Sequence, residues 1–151
     1  MAANTAPIFT DIPLVGRAVW LPATTANTKS DGTGTIGTDI LLLLTAGTDG
    51  SFLNRIRLTP AASAAATGTT ASIHRLYLST QASGATTSAN TTLIAEYAAP
   101  AQTADQTTVS VQPIDVPLGF YIPNGVQLLW SMHHSAAAST AWHAVCFAGS
   151  Y

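Results

Sequence analysis

Between Thr48 and Ser79 apolar side chains recur at every second or fourth position, a spacing that lines them up on one side of a strand but scatters them around a helix. Phe52, Ile56 and Leu58 form the apolar set of the first half, and Arg55 and Arg57 fall between them on a face that meets water. After a run of small residues the pattern returns, with His74, Leu76 and Leu78 on one side and Ile73, Arg75 and Tyr77 on the other. Bulk on both sides marks a strand well inside a sheet. The two halves read as partner strands meeting at a small-residue turn.

The rest of the chain keeps this period, and no stretch has the spacing of an amphipathic helix. A strand is expected over Val15 to Leu21, stopped by Pro22, followed by a loop of Thr, Asn and Gly over residues 22 to 38. That loop contains Gly32-Thr33-Gly34-Thr35-Ile36-Gly37, which satisfies G-x-G-x-x-G. A dinucleotide site needs a strand before those glycines and a helix after them, and here they precede TDILLLLT, which reads as a short buried strand. Further strands are expected at residues 91 to 98, 108 to 116, 120 to 122, 126 to 133 and 140 to 151, with Pro113 and Pro117 pushing their region to a sheet edge. Residues 71 to 79 and 91 to 98 read as one hairpin, and the last two strands as another. Eight or nine strands separated by turns indicate an all-β fold, an antiparallel β-sandwich of jelly-roll-like topology, rather than the seven strands usual in an immunoglobulin-like one.

Composition narrows the function. Charged residues make up 8% of the chain against 47% hydrophobic ones, and Lys29 is the only lysine. So few cations cannot neutralise a run of phosphates, which argues against nucleic acid as a partner. The longest apolar run, Ile40 to Leu44, is too short to cross a membrane, and the first residues lack the basic start and apolar stretch of a signal peptide, so no membrane attachment or Sec export is expected. A surface this poor in charge favours a permanent assembly, a homo-oligomer and most simply a trimer. Residues 1 to 14 form an expected extended arm ahead of a sandwich domain over residues 15 to 151. Its Ile8, Phe9, Ile12 and Leu14, kept extended by Pro7 and Pro13, are candidate contacts to a partner or a sister subunit.

The search for reactive groups leads away from catalysis. There is no G-x-S-x-G elbow and no carboxylate pair stands out, so no enzyme and no cofactor are expected. His133, His134 and His143 could approach one another if the last two strands pair, but they complete no zinc set, and Cys146 faces away from His143. Cys146, in AVCFA, reads as a buried core residue. Arg75 has Glu96 as a candidate partner across the expected hairpin, while Arg55 and Arg57 are candidate interface residues, because arginine is common where proteins meet. Trp130 and Trp142 lie among apolar neighbours and read as core, and Trp20 lies at a strand end.

The succession LLTAGTDGSFLNRIRLTP, RLYLS, LIAEY, FYIPNGVQLLW and WHAVCFAGSY resembles small structural proteins of tailed-bacteriophage virions, over most of residues 38 to 151. The shared motifs are strands and turns, and the ending AGSY has Ser150 where an acidic Gly-Asp-Tyr ending is expected. The resemblance implies a head decoration or cement protein, assembled in the host cytoplasm and carried in the virion, that clamps the major capsid protein without catalysis. The alternative is a binding module on a tail or head fibre that reads a host glycan or receptor with its loops and Trp20.

Overall fold

A computed structural model describes residues 12–62, 67–104 and 112–150. Among them are twelve strands and no helix: β1 (Ile12–Trp20), β2 (Gly34–Ile36), β3 (Leu41–Thr45), β4 (Ser51–Ala62), β5 (Thr67–Gly68), β6 (Ser72–Ser79), β7 (Gly84–Thr86), β8 (Thr91–Ala99), β9 (Thr103–Ala104), β10 (Ile114–Ile122), β11 (Gln127–Met132) and β12 (Thr140–Ser150). The eight long strands build two antiparallel four-stranded sheets, in the orders β1-β12-β4-β10 and β3-β11-β6-β8. The short strands pair as two small ribbons, β2 with β7 and β5 with β9. Pairing among the long strands is nested: β1 with β12, β3 with β11, β4 with β10 and β6 with β8.

Alternation along each strand supplies the core between the sheets. Leu53, Ile56 and Leu58 of β4 and Trp142, Ala144 and Cys146 of β12 belong to one buried cluster with Leu76 of β6 and Leu128, Trp130 and Met132 of β11. The molecule is therefore a β-sandwich, and burying each of these larger side chains is worth ~1.5 to 3 kcal/mol. At one side of the sandwich β1 comes up against β3. A Cβ at Gly16 would fall inside the radius of the Leu43 carbonyl oxygen, so a side chain there would prevent the two sheets from meeting so closely.

Several expectations hold. β6 and β8 form the hairpin that sets Arg75 opposite Glu96. β10 has β4 as its neighbour in the sheet and lies at the edge, with Pro117 beside a register shift. Others need correction. The strands of the Thr48 to Ser79 stretch are not partners, because β4 lies between β12 and β10 in one sheet while β6 lies between β11 and β8 in the other. The last two strands, β11 and β12, likewise belong to opposite sheets. Period two says nothing about a strand's neighbour, and it misleads across a bulge: Phe52, read with Ile56 and Leu58, lies on the outer face and Leu53 takes its place in the core, because β4 carries an extra residue between Leu53 and Arg55. Residues 114 to 122 form one strand in place of two short ones, with the irregularity between Pro117 and Phe120 absorbed as a bulge.

The sequence placed the start of the first strand at Val15, whereas β1 begins at Ile12 and includes Pro13. A proline fits there because β1 is an edge strand and has no second partner that needs its missing N–H. Leu14, assigned to the arm, points inward and packs against the core.

Candidate interaction surface

The outer faces of the two sheets differ. On the β3-β11-β6-β8 sheet, Tyr77 and Leu129 point outward and yet are fully buried, because Ile36 and Ile40 of the segment before β3 pack on them with Leu93. Arg75 fastens that segment down. Its Nη1 donates to the carbonyl oxygens of Asn27 at 3.1 Å and Lys29 at 3.3 Å, while its Nε donates to Glu96 Oε1 at 2.6 Å. The Tyr77 hydroxyl also donates to the Lys29 carbonyl, at 3.2 Å. The glycine-rich stretch is thus part of a cover: Gly34 and Ile36 sit in β2, and a turn, not a helix, follows.

The opposite sheet has no such cover among the described residues. Register sets its outward side chains in rows across the four strands. One row runs Arg17, Val145, Arg57, Asp115, the next Val15, Phe147, Arg55, Pro117, and a third Pro13, Gly149, Phe52, Tyr121. Directly opposed residues share a face, so these side chains form one continuous surface. It carries three of the four arginines in the chain. It also carries Val15, 61% exposed, and Tyr121, 50% exposed, large apolar residues that water would otherwise disfavour there. Beyond the row of Val19, His143 and Thr59 it opens into a depression of about 520 Å³ whose lining includes Leu21, Ala61, Ala141 and His143.

Two of the arginines are held in place. Arg57 donates from Nε and Nη2 to the two carboxylate oxygens of Asp115, at 2.8 and 2.7 Å, a bidentate fork that fixes the guanidinium plane. That hydrogen bonding raises Arg57 above its ordinary pKa and lowers Asp115 below the ordinary carboxylate range. An ion pair this exposed adds little to folding stability, so its effect is on orientation. The guanidinium carbon of Arg55 lies 4.8 Å from the ring centroid of Phe147, a cation–π contact.

Comparison with protein-family models, with curated proteins and with solved structures finds no match. The surface must therefore be read from its own chemistry.

Of the interface residues expected from the sequence, Arg55 and Arg57 lie together on this face, Ile12 is 59% exposed at the end of β1, and Leu14 is turned into the core. Ile8 and Phe9 lie outside the described residues. The histidines do not assemble: His133 and His134 meet edge to face at 4.7 Å, and His143 belongs to the other sheet. Trp20, Trp130 and Trp142 are all buried, which removes Trp20 as a stacking platform for a sugar ring. Cys146 is buried as expected, and burial pushes its thiol up to about 12.

The sequence reading missed Arg17, Val15, Phe147 and Asp115 as members of the face. Odd-numbered alternation over residues 15 to 19 and 143 to 147 was visible, but only the pairing of β1 with β12 and of β12 with β4 brings those residues to Arg55 and Arg57.

Proposed function

We propose that the chain is a structural subunit of a tailed-phage particle, a decoration or cement protein that docks on the major capsid protein through the outer face of the β1-β12-β4-β10 sheet. The observation that carries this reading is the contrast between the two sheets. One outer face is sealed by the chain itself, and the other, among the described residues, presents apolar side chains beside three arginines, two of them held in place. A sheet face of this composition suits a protein surface better than a small molecule, because aromatic and arginine side chains are enriched at protein interfaces. The nested strand pairing supports the companion reading of the sandwich as a jelly roll.

The test is the copy number of the chain in purified particles, by quantitative mass spectrometry against the major capsid protein. A shell protein is expected in a fixed high ratio to that subunit. A handful of copies per particle would point instead to a fibre module, and absence from the particle would end the virion reading.

A further inference from the structure

We propose that the partner surface met by the β1-β12-β4-β10 face is an acidic protein surface, with carboxylates placed to meet Arg17 and Arg55, and not a second copy of the same face. The proposal rests on the docking face described above and adds the chemistry of what covers it. Across the rows stand three guanidinium groups against one carboxylate, Asp115, in a chain whose formal net charge is −2. The face is thus opposite in sign to the molecule as a whole. Arg57 already has its carboxylate, while the Arg55 guanidinium lies over the Phe147 ring. Arg17 and Arg57 stand on either side of Val145, two strands and so roughly 10 Å apart. Carboxylates on neighbouring strands or on one loop could match that spacing.

Three alternative occupants fit less well. The same face of a second copy would bring cations against cations, and like charges brought together disfavour a pairing. A nucleic acid would need a longer run of cations than three arginines provide. A sulfated glycan would take the charge but leave Val15, Val145, Phe147 and Pro117 without apolar contact, and the tryptophans that could stack on its rings are buried.

The experiment uses the purified full chain and two immobilised probes, poly-L-glutamate and heparin, at low and rising salt. Wild type should be retained on poly-L-glutamate and released as salt reaches roughly 0.15 to 0.3 M, where the screening length falls below 10 Å. Arg17→Glu should weaken retention by roughly tenfold. Lys29→Glu, an exposed residue on the far side of the molecule with the same change in charge, should leave retention unchanged. Circular dichroism of both variants confirms that the sandwich is intact. Equal loss in the two variants would overturn the proposal by reducing it to net charge. Stronger retention on heparin than on poly-L-glutamate would overturn it in favour of a sulfated glycan. So would sedimentation showing a wild-type oligomer that Arg17→Glu dissociates, since the face would then be covered by a second copy. These outcomes are separate from the particle test: retention by poly-L-glutamate without copies in the particle would leave the acidic partner standing and remove the capsid.

Discussion

Lowering the pH should weaken this fold at a single buried side chain, His74. The imidazole is fully buried between the sheets, stacked on Trp130 at 5.8 Å and met edge-on by Trp142 at 4.5 Å, with Tyr97 across the β6–β8 ladder. Trp130 Nε1 donates to its Nδ1 at 3.2 Å, so that nitrogen is an acceptor and the ring is neutral. Protonating Nδ1 would set two N–H groups against each other in a site that also desolvates the charge. Burial accordingly lowers the pKa of His74 from 6.5 to about 4. The folded-state value lies below the unfolded one, so the unfolded chain binds the extra proton first. The stability term is fully present above about pH 6.5 and is lost as the pH falls toward 4. At 1.36 kcal/mol per unit, the loss between pH 7 and pH 4.5 comes to about 2 to 3 kcal/mol, a large share of what a domain of this size has to spare. Urea unfolding followed by tryptophan fluorescence at the two pH values measures it. The control is His74→Asn, which offers Trp130 an amide oxygen in place of Nδ1 and does not titrate. It should be less stable at neutral pH but lose much less on acidification. Equal stability of the wild type at pH 7 and 4.5, or an unchanged acid loss in His74→Asn, would refute the assignment.

Two further substitutions probe how the sandwich is closed and covered. Gly16→Ala drives a methyl group into the Leu43 carbonyl where β1 meets β3 and should lower stability by about 1 to 3 kcal/mol, read as a fall in the thermal midpoint; an unchanged midpoint would mean that the sheets can part there without loss. Arg75→Met removes the donors to Asn27 and Lys29 and leaves Glu96 without its partner, so hydrogen exchange should speed up across residues 27 to 40 while the β4 and β12 amides stay protected. Uniform acceleration through the whole domain would show that the cover and the sandwich unfold together.

Side-chain period carried most of the fold into view. The inward sets of β11 and β12 are the alternating residues read from the sequence, Ile56 and Leu58 of β4 are as read while Leu53 replaces Phe52, and Pro117 marks an edge as its missing N–H requires. Partner choice was not legible for β4 with β6 or β11 with β12, because a strand buried on one face satisfies the same pattern with any neighbour. Arg75 with Glu96 was legible because β8 is the next long strand after β6, the connection between them holding only the short β7, and the two carry opposite charges at matching register. The cover over Tyr77 and Leu129 left a trace too. Bulk on both faces of β6 requires something outside the sheet to bury the second face; the Thr, Asn and Gly composition of residues 22 to 38 hid Ile36, and Ile40 read as part of the strand that in fact begins at Leu41.

The cationic face depends on the nesting of strands in a way no single segment reveals. Its two mixed rows draw on β1, β4, β10 and β12, which lie near both ends and in the middle of the chain, so the surface exists only once the first and last strands have paired. The irregularities in that sheet flank it: β4 carries an extra residue opposite the step from Phe147 to Ala148, and β10 shifts register after Pro117. Both lie on or beside the row that holds Arg55, and a bulge increases local twist and redirects the side chains next to it. Arg55 is therefore aimed by backbone irregularity and by the Phe147 ring, whereas Arg57 is aimed by a carboxylate on the edge strand. A partner docking on this face would meet two guanidinium groups, those of Arg55 and Arg57, whose orientations are already set, which would reduce the side-chain entropy lost on docking.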